Sequence, residues 1–170
     1  MKIAIFKIPF IIISLLSLDA FCQGANLLTQ EITDMKYMLE EEKVARDVYE
    51  FLDTKWHMRV FNNIKQSEQR HMDMMENLLN TNKVVYELHD EEGKFYNEDL
   101  QTMYNNLIEK GSKSKYDALE VGKMIEVVDI EDLEKAIKKT SKTDIRDVYS
   151  QLIFASNNHL RAFNRNLSRF

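Results

Sequence analysis

Glu68-Gln69-Arg70-His71 decides the reading of this chain, because it lies on the apolar stripe of an amphipathic segment. Phe61, Ile64, Glu68, His71, Met75 and Leu78 recur at steps of three and four, the spacing of one helical face. A carboxylate and an imidazole in a stripe of Phe, Ile, Met and Leu are costly to bury unless something pairs with them. A Glu-x-x-His pair on the core face of a bundle helix is also half of a carboxylate-bridged dimetal site. One such pair is weak by itself, so the other segments must supply the remaining ligands.

Outward from that segment, the periodicity stays helical. Thr29 is expected to cap a first long helix to about Trp56, with Met35, Leu39, Glu42, Ala45, Tyr49, Leu52 and Trp56 on one face. The second helix covers roughly Val60 to Asn80. A long connection follows, about Thr81 to Lys113, with Val84 to Tyr86 extended and Gly93 at a turn. Asn97 caps a short helix to about Lys110, and Gly111 ends it.

Ser114 and Asp117 resemble a capping box that opens the third long helix, which runs to about Lys139. Its inward face reads Ala118, Gly122, Glu126, Asp129, Leu133 and Ala136. Ser141 or Thr143 caps the fourth, with Ile145, Tyr149, Leu152, Ser156, His159 and Phe163 as its stripe. Short links within each helix pair favour antiparallel neighbours, while the middle link is long enough to cross a whole bundle. The expected fold is therefore all-α, a ferritin-like four-helix bundle with a long crossover that contains a short helix.

The chain has 170 residues and a formal net charge of -5. Lys2 and Lys7 precede the apolar run Ile8 to Leu18, and Ala20-Phe21-Cys22 places small residues at the outer and inner cleavage positions. That is the layout of a signal peptide over residues 1–22, with export to the periplasm or exterior after cleavage near Cys22. The run is short for a membrane span, and Pro9 and Asp19 interrupt it, so no stable span is expected. A lipoprotein with Cys22 acylated is the weaker alternative, because Phe21 precedes the cysteine.

Cleavage would remove Lys2, Lys7 and Asp19 and leave residues 23–170 as one domain without cysteine. An exported domain with no disulfide is held by packing alone or by packing plus metal. The acidic balance and the lack of a basic stripe argue against nucleic acid as a partner.

Each of the four stripes is interrupted by groups that bind metal: Glu42 on the first helix, Glu68 and His71 on the second, Glu126 and Asp129 on the third, His159 on the fourth. This mix of oxygen and imidazole suits two divalent ions, iron or manganese first, with zinc compatible. Without metal, converging carboxylates would repel one another and some would be pushed strongly toward the neutral form.

Taken singly, every group has a plainer explanation. Arg46 can pair Glu42 one turn away, and Glu40 and Glu41 read as solvated. Glu126 and Asp129 can lie at the core edge, and a lone buried histidine is more often structural than a ligand. His71-Met72-Asp73-Met74-Met75 offers a different reading, soft thioether sulfur for copper, but Met74 is expected to point away from the His71 face. His57 and His89 read as surface residues of connections, and Tyr49 and Tyr149 as packing tyrosines, with contact to the cluster the alternative.

The segments Glu40-Glu41-Glu42-Lys43-Val44-Ala45-Arg46-Asp47-Val48-Tyr49, Ser67-Glu68-Gln69-Arg70-His71, Ile125-Glu126 with Asp129-Ile130, and Asn158-His159-Leu160-Arg161-Ala162-Phe163 resemble, in order, the ferritin-like domain of unknown function 2202. Glu42-x-x-Ala45-x-x-x-Tyr49 is also similar to the first ligand segment of rubrerythrin-like proteins. The resemblance implies a ferritin-like fold and brings no established activity. It implies Glu42 and Glu126 as terminal ligands, Glu68 as a bridge, His71 as its partner on one metal and His159 on the second.

Ser156 departs from the ferritin-like pattern, which has a second bridging Glu there; Asp129 is expected to fill part of that gap. The leading expectation is a metalloprotein that handles dioxygen, peroxide or the metal itself, with an unspecified reductant. A non-catalytic bundle presenting a helix face to a partner, and a metal storage or delivery protein, are the alternatives. Nothing in the sequence specifies a homo-oligomer.

Overall fold

A computed structural model describes residues 27–170, so the signal-peptide segment lies outside the described residues. Five helices and no strand occur among the described residues: α1 (Thr29–Trp56), α2 (Arg59–Thr81), α3 (Glu98–Gly111), α4 (Lys115–Lys139) and α5 (Thr143–Leu167). No described helix is long and apolar enough to cross a membrane.

The starts and stops follow local chemistry, with three departures from expectation. Asn97 caps α3 by accepting from the Asp99 and Leu100 amides, and Ser114 caps α4 by accepting from the Asp117 amide. Thr29, by contrast, is already helical; the preceding Leu28 amide is held by the Glu31 carboxylate at 2.7 Å. Neither Ser141 nor Thr143 caps α5, whose N-cap is Lys142 with its amide donating to Thr140 Oγ1. Gly111 is the last residue of α3 and does not end it through a left-handed turn. It is there because a Cβ would stand 2.8 Å from Leu52 Cδ2. Gly93 does adopt positive φ, +74°, in the connection.

Contacts between paired helices run in opposite order along the chain. Asp53 meets Asn62 and Lys65, Arg46 meets Gln69, and Glu42 meets His71, so α1 and α2 are antiparallel. Gly122 lies against Phe163 and Arg146 reaches the Ile137 carbonyl, which makes α4 and α5 antiparallel. Tyr49 with Gly122 and Asp34 with Lys139 set α1 against α4. Glu68 with His159 and Asn82 with Asp144 do the same for α2 and α5. The four long helices thus form a closed ring in the order α1, α2, α5, α4, and α3 packs on α1 and α4. The long helices α2 and α4, which flank the crossover and its α3, point the same way, so residues 82–114 must travel the length of the ring.

Two apolar clusters fill the interior. One holds Val48, Tyr49, Leu52, Phe61, Ala118 and Phe163; the other holds Met35, Leu39, Met75, Leu78, Leu133 and Tyr149. On each helix the candidate ligands fall in sequence between the residues of the first cluster and those of the second. Glu42 separates Leu39 from Val44, Glu68 and His71 separate Ile64 from Met72, and Glu126 and Asp129 separate Ile125 from Leu133. The polar groups therefore form one layer sandwiched between two dry cores.

The solvated role expected for Glu40 and Glu41 is overturned: both are buried. The outward side of α1 is covered by the crossover, and its charges hold that segment down. Glu40 accepts from the Tyr96 and Asn97 amides at 2.6 and 3.1 Å. Lys43, 1% exposed, donates to Asp47 at 2.6 Å and to the Glu91 and Lys94 carbonyls. Asp47 also accepts from the Gly93 amide at 2.9 Å. A buried ammonium and carboxylate persist here because each is surrounded by hydrogen-bond partners.

Candidate metal centre

Glu68 stands at the middle of the polar layer. Its Oε2 lies 2.8 Å from His71 Nδ1, and its Oε1 lies 2.9 Å from His159 Nδ1. Glu42 Oε2 approaches His71 Nδ1 at 3.1 Å, and Glu126 Oε2 approaches His159 Nδ1 at 3.4 Å. Two triads result, Glu42/Glu68/His71 and Glu68/Glu126/His159, each with its ligand atoms within 4.8 Å of one another. The two imidazoles stack with centroids 5.5 Å apart. Helical spacing explains the sharing. Glu68 and His71 are one turn apart on α2 and face both α1 and α5, so a single carboxylate reaches both neighbours.

Several buried polar atoms in this layer lack a hydrogen bond: Glu42 Oε1, Glu68 Oε1, Asp129 Oδ1 and His159 Nδ1. The Glu68 and His159 atoms are close yet out of line for a hydrogen bond, so they converge without facing each other. Orphaned carboxylate oxygens and an orphaned imidazole nitrogen are what a divalent cation satisfies, and the donor types fit iron, manganese or zinc.

The electrostatics tell the same story from the side of protons. Burial pushes Glu42 up to about 8, against the pull of His71, and pushes Glu126 up to about 7 with help from Glu68. Burial also opposes charge on Glu68, but the two imidazoles outweigh it and bring that carboxyl down to about 2. His71 and His159 rise to about 11 and about 10, because the carboxylates beside them overcome the penalty of burial. Asp129 is raised by burial and then by Glu42. Too many carboxyls converge for two imidazoliums to neutralise, so some are held neutral.

The six residues singled out in the sequence lie in this one layer. Asp129 faces it from α4 beside Ser156 but is not among the atoms of either triad. Ser156 is fully buried and its hydroxyl turns back to the Leu152 carbonyl at 3.0 Å, so it does not stand in for a bridging carboxylate. Arg46 does not pair Glu42; it binds Asp47 and Gln69.

Tyr49 is more than a packing residue. Its hydroxyl donates to Glu126 Oε1 at 2.6 Å, and the signal was present in its place two turns after Glu42 on the same stripe. Tyr149 does pack, in the second apolar cluster. Met72 and Met75 are core residues, whereas Met74 lines a surface groove beside His71, contrary to the orientation expected of it. His57 is exposed at a left-handed C-cap and His89 stacks on Tyr96 at 3.9 Å, so neither reaches the layer.

An all-helical fold with a Glu/His layer at its centre defines the class, and the sequence places the chain within it. The chain belongs to the family described as an uncharacterized protein domain, DUF2202, which matches residues 31–169. It is 48% identical over 134 residues to uncharacterized protein MJ0754 of Methanocaldococcus jannaschii, covering 78% of this chain and 72% of that protein. The crystal structure of hypothetical protein MJ0754 from Methanococcus jannaschii superposes with a TM-score of 0.83 at 45% identity, over 84% of this chain and 82% of the other. The crystal structure of a DUF305 fragment from Deinococcus radiodurans gives a TM-score of 0.64 at 13% identity, over 84% and 98%, and shares the fold alone.

Proposed function

We propose that this chain is a ferritin-like metalloprotein in which Glu42, Glu68, His71, Glu126 and His159 hold two divalent ions, iron or manganese, with Asp129 as an additional carboxylate. The single observation that carries the reading is the sharing of Glu68 between two triads within one buried polar layer. The ring order α1, α2, α5, α4 and the parallel course of α2 and α4 support the ferritin-like assignment.

Two redox-active ions held by these residues would supply electron transfer to an oxidant, with an external reductant restoring them. The protein's own groups do the rest. Glu68 keeps both triads in register, Glu42 and Glu126 complete them from opposite sides, and the apolar clusters above and below exclude water. Tyr49 holds the Glu126 carboxylate in one orientation through its hydroxyl. The oxidant class proposed is dioxygen or hydrogen peroxide. The basic start and apolar run of residues 1–22 support export as the setting in which this takes place.

The test is consumption of dioxygen and of peroxide by the iron- or manganese-loaded protein, beside Glu68→Ala. Turnover lost in the variant supports the reading. Equal turnover in both would overturn it, because no dinuclear centre survives without its shared ligand.

A further inference from the structure

The crossover leaves α2 through Lys83, whose left-handed conformation (φ 56°) turns the chain out of the helix. From Val84 to His89 the chain then runs without turn or bend. Exposure alternates along it: Lys83, Val85 and Glu87 face solvent, whereas Val84, Tyr86 and Leu88 are half-buried and pack on the second apolar cluster. A period of two belongs to an extended strand, and Val-Val-Tyr favours that conformation. The crossover thus carries a strand that is packed on one face and paired with nothing.

Among the described residues, the amides of Val85 to Asp90 donate no hydrogen bond and the carbonyls of Val84 to Asp90 accept none. A row of free N–H and C=O groups is a template for another strand. Open grooves of about 450 and 370 Å³ flank the segment, one toward Lys36 and Tyr96 and one toward Asn80. Val85, 83% exposed, is the most exposed large hydrophobic side chain among the described residues.

The order of side chains selects the partner. Turned about a twofold axis through Val85, a second copy lays Lys83 opposite Glu87, Val84 opposite Tyr86, and Val85 opposite Val85. The outward face then sets opposite charges on both sides of an apolar contact, and the inward face sets a β-branched residue against an aromatic one. Both arrangements favour pairing. In parallel register the same strand would set lysine on lysine and glutamate on glutamate, which is repulsive. An isolated two-stranded ribbon is marginal in water, but each strand here is already ordered by the bundle beneath it.

We propose that residues 83–88 form an antiparallel two-stranded ribbon with the same residues of a second copy, making the protein a twofold-symmetric dimer. The inference is independent of the metal centre and holds for loaded and metal-free protein alike.

Sedimentation equilibrium tests it. Wild type should show a monomer–dimer equilibrium, and Val85→Lys, which sets two ammonium groups face to face, should be monomeric where wild type is dimeric. Lys83→Glu and Glu87→Lys should each weaken the dimer about tenfold, because each turns two attractive pairs into repulsive ones. The double variant K83E/E87K should restore it. These side chains are exposed, so far-ultraviolet circular dichroism should stay unchanged throughout.

The register has its own readout. With Cys22→Ser removing the one native cysteine, Val85→Cys should oxidise to a disulfide-linked dimer. Facing residues of a ribbon have Cα atoms about 4.5–5.5 Å apart, within disulfide reach. Glu87→Cys, about 13 Å from its counterpart in this register, should not cross-link.

A chain that stays monomeric up to millimolar concentration would overturn the proposal and leave the edge to an extended peptide of another protein. A dimer indifferent to Val85→Lys, or not restored in the double variant, would overturn it as well, by placing the contact elsewhere.

Discussion

His159 Nδ1 lies 2.9 Å from Glu68 Oε1, yet neither atom makes a hydrogen bond. A buried nitrogen and a carboxylate oxygen at that separation normally align, because an unsatisfied buried group costs about 1–3 kcal/mol. Here each is turned toward a point that Glu126 also approaches, and the mirror arrangement at His71 uses the other oxygen of the same carboxylate. Glu68 is therefore committed to two neighbours, which makes it the one residue whose loss should undo both halves of the centre.

Protonation should couple to metal binding with a definite sign. Glu42 and Glu126, held at about 8 and about 7, stabilise the metal-free fold as neutral acids below the ordinary carboxylate range, and lose that contribution as pH rises through those values. His71 and His159, raised to about 11 and about 10, contribute fully below the ordinary imidazole value and lose it as pH rises through their folded values. Both effects run the same way, so the Tm of chelator-treated protein should fall from about pH 5 to pH 9. Metal-loaded protein, whose ligands have already shed their protons, should gain on it over that range. Calorimetry in buffers of different ionisation enthalpy should show proton release on loading. A metal-free Tm that climbs with pH would contradict this account.

Tyr49→Phe should act on one triad only. The hydroxyl orients Glu126 at 2.6 Å and has no contact with Glu42 or His71. Loss of such an outer partner typically weakens metal affinity about 10–100-fold. Metal titration should therefore show one ion loosened and the other held as in wild type. Equal weakening of both would mean that Tyr49 acts through general packing, where it also lies against Phe61 and Phe163.

Asp47→Ala should unfasten the crossover. It strands the Lys43 ammonium, 1% exposed, with only carbonyl acceptors, and removes the acceptor of the Gly93 amide. Breaking a buried pair from one side costs about 3–5 kcal/mol. Urea denaturation should show that loss, and hydrogen exchange should quicken at residues 91–97 before it does in α2 or α5. Unchanged stability would mean that the pair is better solvated than its burial implies.

Gly122→Ala tests the tight approach of α4 to Phe163 of α5. A Cβ there would overlap the Phe163 ring at Cε1, and Phe163 is fully buried against Tyr49 and Phe61. Overpacking of this kind costs about 1–3 kcal/mol, and the upper end is expected. Thermal unfolding checks it; a neutral or stabilising result would show that α4 and α5 can slide apart.

The inward face of the bundle was legible in the sequence because a three-and-four spacing reports one buried stripe per helix. Residues Ala118 to Ala136 of α4 and Met35 to Leu52 of α1 all fall where that spacing puts them. What it cannot report is a second buried side. Glu40, Glu41, Lys43 and Asp47 look like a solvated charge run, and only the path of residues 82–111 over α1 buries them. Glu40, Lys43 and Asp47 bind backbone amides and carbonyls of the crossover, groups that carry no residue-specific signature.

The caps show the same limit on a smaller scale. Asn97 and Ser114 are capping residues by type, whereas Leu28 relies on Glu31, and Lys142 donates its amide to the Thr140 hydroxyl.

The most direct test of the central claim is the metal content of the protein by mass spectrometry, after anaerobic loading with iron or manganese, beside Glu68→Ala and Glu42→Ala. Two ions per chain are predicted for wild type, none held firmly by Glu68→Ala, and one retained at the Glu126 and His159 side in Glu42→Ala. Wild type that takes up no stoichiometric metal under either loading would contradict the account.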